Sequence, residues 1–159
     1  MKLVMCNQPD LLDALHERLY EGHHLIDLES VRSYVSSPRL MDARARNFPT
    51  ERLIPVGDTF LDHRTMLADG PQKTFGISLT DWVAARESAD LMDDDGRPDG
   101  NAINVQVWPF DPSLLSEQQA RLAVALSYTR LELYAEPRII GALNYILKSI
   151  GFFIDPERY

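Results

Sequence analysis

Apolar residues recur along this chain with two different periods. Ile103, Val105 and Val107 alternate with Asn104, Gln106 and Trp108, and this period of two predicts a strand. Further strands are predicted over 3–6, 53–56 and 73–79. Pro55 confines the second of these to a sheet edge, because proline cannot donate to a ladder. Leu12, Leu15 and Leu19 follow Pro9 at helical spacing, and Gly22 is a natural stop. His23-His24-Leu25-Ile26 forms a strand or leads into the next helix, where Leu28, Val31 and Val35 repeat before Ser36-Ser37-Pro38.

The middle of the chain is harder to partition. Residues 39–58 are irregular and mildly basic, with Arg39, Arg44, Arg46 and Arg52 against Asp42 and Glu51. Gly57-Asp58 reads as a turn, and Thr59 as the cap of a short helix running to 67. Thr80 is expected to cap a helix over 81–92, with Trp82, Ala85, Ala89 and Met92 on one face. The last third is helical. Ser116 and Gln119 have the spacing of a capping box ahead of a helix over 116–135. Pro137 ends that helix and starts the next, over 138–151, whose stripe is Ile139, Leu143, Ile146 and Ile150. The pattern implies a single α+β domain spanning 1–159. A small, at least partly antiparallel sheet packs against several helices, with a C-terminal helical hairpin as the main core.

Composition narrows the function classes. Hydrophobic residues make up 45% of the 159 and charged residues 25%, as in an ordinary folded domain. The pI near 4.9 disfavours direct nucleic-acid binding, which needs clustered Lys and Arg. It suits a basic protein partner. With Cys6 as the one cysteine, neither an intrachain disulfide nor a thiolate metal cage can form. No apolar run reaches the ~20 residues a membrane-spanning helix needs. The expectation is a cytoplasmic protein with no membrane contact.

Charge is concentrated in one segment. Residues 81–111 carry eight acids against Arg86 and Arg97, and so six of the eight formal negative charges. Asp93, Asp94, Asp95 and Asp99 form its centre. A calcium loop of the EF-hand type with Gly96 at its sixth position would place Leu91 and Ala102 where ligands are required, so the segment is not such a loop. If helix 81–92 runs to its full length, Asp93, Asp94 and Asp95 follow its negative pole, each opposing it by roughly 0.3–1 kcal/mol. A helix ending near Ser88 removes that conflict.

Other candidates are weaker. Asp58 and Asp62 are four residues apart and would share a face with His63 nearby if the helix included both, a grouping suited to a divalent ion or a general base, although the turn at Gly57-Asp58 sets Asp58 outside it. His63-Arg64-Thr65 spells one copy of an H-x-T element whose enzymes need two. His23 and His24 are adjacent and would point to opposite faces of a strand. His16 with Glu17, and Cys6, complete no constellation. There is no Walker loop, dinucleotide fingerprint, H-E-x-x-H or G-x-S-x-G.

The leading expectation is therefore a noncatalytic binding or regulatory module that engages a basic protein partner through the acidic segment 87–99, with Asp93, Asp94, Asp95 and Asp99 as contacts. It needs no cofactor and no metal. One alternative is a small metal-assisted hydrolase or phosphotransfer enzyme using Asp58, Asp62 and His63. Another is a component that assembles into a homo-oligomer through its apolar C-terminal helices.

Overall fold

The computed structural model describes residues 24–49, 51–68, 70, 72–93, 97 and 99–158. The predicted strand at 3–6, the helix carrying Leu12, Leu15 and Leu19, and Cys6, His16, Glu17 and His23 lie outside the described residues. So do Asp94 and Asp95.

In chain order the first elements are β1 (Ile26–Asp27), α1 (Leu28–Arg32), β2 (Met41–Arg46), β3 (Ile54–Pro55) and α2 (Gly57–Asp62). β4 (Thr74–Ser78), α3 (Leu79–Ala85), β5 (Asp90–Met92) and β6 (Ala102–Trp108) follow. The chain ends in α4 (Glu117–Ser127), α5 (Arg130–Ala135), α6 (Pro137–Leu147) and β7 (Phe152–Phe153). Five strands form a mixed sheet in the order β3-β4-β6-β2-β5, in which β4 and β6 run parallel and the other pairs antiparallel. β1 and β7 pair separately and in parallel, joining Ile26 to Phe152. This is an α+β fold, and its C-terminal third is helical.

The period-two stretch is the central strand of the sheet. Its odd-numbered side chains and Ala45 and Ile77 on the neighbouring strands form one apolar face. α3 supplies Trp82 to this face, and Trp82 stacks on Phe48 with ring centroids 5.7 Å apart. The even side chains lie on the opposite face. Trp108 there joins the larger core, built from α2, α4 and α6 together with Leu28, Val31 and Phe152. Trp108 meets Phe110 edge-on at 5.8 Å. Pro55 sits in an edge strand, as its missing N–H requires.

Several boundaries differ from expectation, each for a local reason. β2 occupies part of the stretch read as irregular. Ala43 and Ala45 face the apolar side while Asp42, Arg44 and Arg46 face the other. Gly57 and Asp58 are the first residues of α2 rather than a turn, and no side chain caps that helix. The Thr59 hydroxyl instead accepts a hydrogen bond from the Thr74 N–H at 2.8 Å. Ser78, not Thr80, caps α3 by accepting from the Asp81 N–H. α3 ends at Ala85, a tight turn covers Arg86–Ser88, and the chain becomes the edge strand β5. Asp93 therefore follows a strand, and the opposition to a helix pole does not arise.

The helix expected over 116–135 is two helices. The Ser116–Gln119 capping box opens α4, and a second capping box between Thr129 and Glu132 opens α5. Tyr128 between them is extended, at φ −71° and ψ 136°. Pro137 is the first residue of α6. The apolar stripe of α6, including Leu143 and Leu147, is buried within the chain's own core. It is not a free face for a second copy; Leu131, Tyr134 and Tyr145 are the large apolar side chains that α5 and α6 leave exposed. Among the described residues no helix is long and apolar enough to cross a membrane.

Candidate functional site: a polar cleft floored by the sheet

The even-numbered face of β6 leaves the core beyond Trp108 and becomes polar. Pairing aligns Thr74, Asn104, Arg44 and Met92 in one row across four strands, with Gln106 opposite Asp42 in the next. The break between α4 and α5 brings Tyr128 and Glu132 alongside this face, and Arg39, Gly57 and Asp58 line it as well. The result is a cleft of about 490 Å³ at the border of the sheet and the helices. Asp93 stands among its lining residues.

A linked set of polar contacts fixes the helical wall. Arg39 bridges the layers, donating from Nε to Asp42 at 2.8 Å and from one terminal nitrogen to Glu132 at 2.7 Å. Burial pulls the Arg39 guanidinium down, but the hydrogen bonds to Asp42 and Glu132 outweigh it and hold its pKa above the ordinary arginine value. Glu132 also closes the capping box of α5, accepting from the Thr129 N–H at 2.7 Å. Next to it the Tyr128 phenol donates to Asp58 Oδ1 at 2.5 Å. Burial, and then the Asp58 carboxylate, push the Tyr128 hydroxyl far above the usual phenol range. Tyr128 is thus a fixed donor and not a base. The other oxygen, Asp58 Oδ2, has no donor among the described residues.

The floor has a distinct chemistry. Gln106 is 7% exposed, and its Oε1 accepts from the Trp108 indole at 3.1 Å. An indole N–H can only donate, so it selects the amide oxygen and turns Gln106 Nε2 the other way. That nitrogen has no acceptor among the described residues, and Gln106 lines the cleft. That nitrogen is open to the cleft rather than sealed in the core, and an occupant that covered it without supplying an acceptor would cost about 1–3 kcal/mol. The half-buried side chains of Asn104 and Thr74 also make no hydrogen bond to described residues.

The acidic segment meets this site from one side. β5 and β6 flank β2 on its two sides, and the acidic segment joins them in sequence. Of the described residues there, Arg97 and Asp99 lie against its polar face. Arg44, 6% exposed, donates to the Arg97 carbonyl, and Gln72 donates to the Asp99 carbonyl. Arg46 forms an ion pair with Asp99, its Nε at 2.8 Å. The Asn101 N–H, and then Arg46, hold the Asp99 carboxyl below the ordinary carboxylate range. Asp99 is thus an internal tether, whereas Asp93 is exposed with no hydrogen bond or ion pair to a described residue. The structure separates two residues that the sequence had grouped together.

The structure places Asp58 and His63 in different recesses, and Asp62, the last residue of α2, lines neither. Asp58 turns to Tyr128 in the cleft, while exposed His63 lines a separate recess beside Phe60, Pro112 and Glu117. Among the described residues no three His, Cys, Asp or Glu side chains come together to hold a metal ion. His24 is exposed and lies outside the cleft.

Sequence reasoning missed Gln106, Tyr128 and Glu132, and marked Arg39 and Arg44 only as part of a mildly basic stretch. Two signals were present: the Asp-Ala-Arg-Ala-Arg alternation of 42–46, and the T-x-x-E spacing of Thr129 and Glu132. No protein-family model matches the chain, and neither the curated proteins nor the solved structures provide a match.

Proposed function

We propose that the chain is a noncatalytic binding module, acting in the cytoplasm, that engages a basic protein partner through an acidic face. That face consists of the segment 87–93 and the carboxylate side of the cleft, with Asp94 and Asp95 adjoining it in sequence. The observation that carries this reading is the charge balance of the cleft lining. Asp42, Asp58, Asp93 and Glu132 stand there against Arg39 and Arg44, and Arg39 is already engaged by Asp42 and Glu132. Asp58 and Asp93 remain without a cationic partner among the described residues. The raised pKa of Tyr128 favours recognition over proton transfer through that phenol.

The test is retention of protein partners by the immobilised chain, comparing the natural sequence with Asp93→Asn/Asp94→Asn/Asp95→Asn. Asp99 is left intact because its carboxylate tethers the segment to Arg46. The expected result is unchanged thermal unfolding, with partners lost from the variant and from the natural chain at high salt. The same partners held equally well by the variant would overturn the reading.

A further inference from the structure

We propose that the cleft is a socket for one cationic side chain, presented on an extended basic segment of the partner, together with the backbone carbonyl beside it. This rests on the protein-binding reading above and names the chemistry of its site. Two independent features of the cleft set the requirement. Asp58 and Asp93 are carboxylates with no cation among the described residues, so the occupant must carry positive charge. Gln106 is more than nine-tenths buried, and the Trp108 indole holds its amide so that Nε2 has only the cleft to find an acceptor in. The occupant must therefore also bring a hydrogen-bond acceptor.

Those two demands exclude simpler ligands. A bare divalent cation would supply charge but no acceptor, and would face the N–H groups of Gln106 and Arg44. A sugar would supply acceptors but leave the carboxylates unneutralised. A phosphate would meet four lining carboxylates. An arginine or lysine within a peptide supplies both parts. Its head reaches the carboxylates, and its carbonyl oxygen reaches the floor, where Asn104 and Thr74 offer further polar groups. Gly57 keeps the approach open: its φ is +55°, and a Cβ built there would lie 3.6 Å from Gln106 Nε2.

The experiment is titration of the full, isotopically labelled chain, followed by the side-chain amide NMR signals of Gln106 and Asn104. The probes are acetyl-Ala-Arg-Ala-amide, its glutamine counterpart, magnesium chloride and glucose. The expected result is a saturable shift of both amides with the arginine peptide, at least tenfold weaker with the glutamine peptide. Asp58→Asn should weaken the arginine peptide at least fivefold, and Asn104→Ala should weaken both peptides, with unfolding curves confirming that each variant is folded. Equal binding of the two peptides would overturn the proposal. So would shifts confined to the surface around Asp93, or displacement of the peptide by magnesium or glucose. If the arginine peptide leaves the amides unmoved while the loop-neutralised variant still loses its protein partners, the socket falls and the acidic-face reading stands. If the peptide fills the cleft but those partners stay bound to the variant, the socket stands and the loop's part in the face is lost.

Discussion

Tyr128 shows how one side chain can be legible as a residue type and illegible as a role. In the sequence it sits within a run that reads as continuous helix. In the structure it is 8% exposed, extended, and bonded through its hydroxyl to Asp58. Because its folded pKa is raised above the unfolded value near 10, the phenol contributes stability that is complete below pH ~10. That contribution declines as the pH rises through the interval between the two values. Alkaline titration followed by ultraviolet absorbance should therefore find the Tyr128 phenol un-ionised until the chain unfolds. Tyr128→Phe should remove that delayed component and lower stability by about 1.5–3 kcal/mol, the range for a hydrogen bond to a charged group. An absorbance titration of the folded chain that is the same for the natural sequence and for Tyr128→Phe, apart from one phenol's amplitude near pH ~10, would contradict this account.

At the scale of elements, the strongest local signals were legible. The alternation of β6, the edge position of Pro55, the Ser116 capping box and the start of α6 at Pro137 each follow from a short-range rule, and each is present. Others were hidden, β2, β5 and the break after α4 among them. β2 alternates alanine with charged residues, so its apolar face is small and its arginines resemble an ordinary solvated stretch. β5 was masked because Ala89 and Met92 continue the helical spacing set by Trp82 and Ala85. The break after α4 was masked by leucines that stay in helical register on both sides of it. Thr129 decides that break by capping α5. Thr129→Ala should cost about 0.5–2 kcal/mol in chemical denaturation. It should also speed hydrogen exchange at the first amides of α5 while leaving those of α4 protected. A uniform loss of protection across both helices would mean that the break is not set by the cap.

For the whole molecule, the period of two showed that the sheet has two kinds of face, but not which parts the helices cover. That depends on contacts between distant segments, such as Arg39 with Glu132 and Arg46 with Asp99. The candidate site was therefore legible only at its rim, through the acidic residues, and not at its floor. The tethered segment gives the site a pH dependence. The Asp99 pKa is depressed, so its contribution to holding the segment is fully present above pH ~4 and is lost as the pH falls through the lower folded value. Hydrogen exchange near Asn101 should quicken below pH ~4 before the central strand opens, and Arg46→Ala should produce the same local change at neutral pH. Opening of the segment and of β6 together in either case would show that the tether belongs to the global unfolding unit.

The pairing of β1 with β7 bears on how the chain comes to be folded at all. Ile26 has to wait for Phe152 before its strand partner exists, although most of the intervening sheet can assemble from nearer neighbours. During synthesis the mixed sheet can therefore form first, while the seam that closes the larger core waits for Phe152 to emerge. A ribosome stalled a few dozen residues short would hold out a nascent chain whose leucine-rich helices have no finished core to enter. Quality-control machinery would have its longest opportunity at that stage.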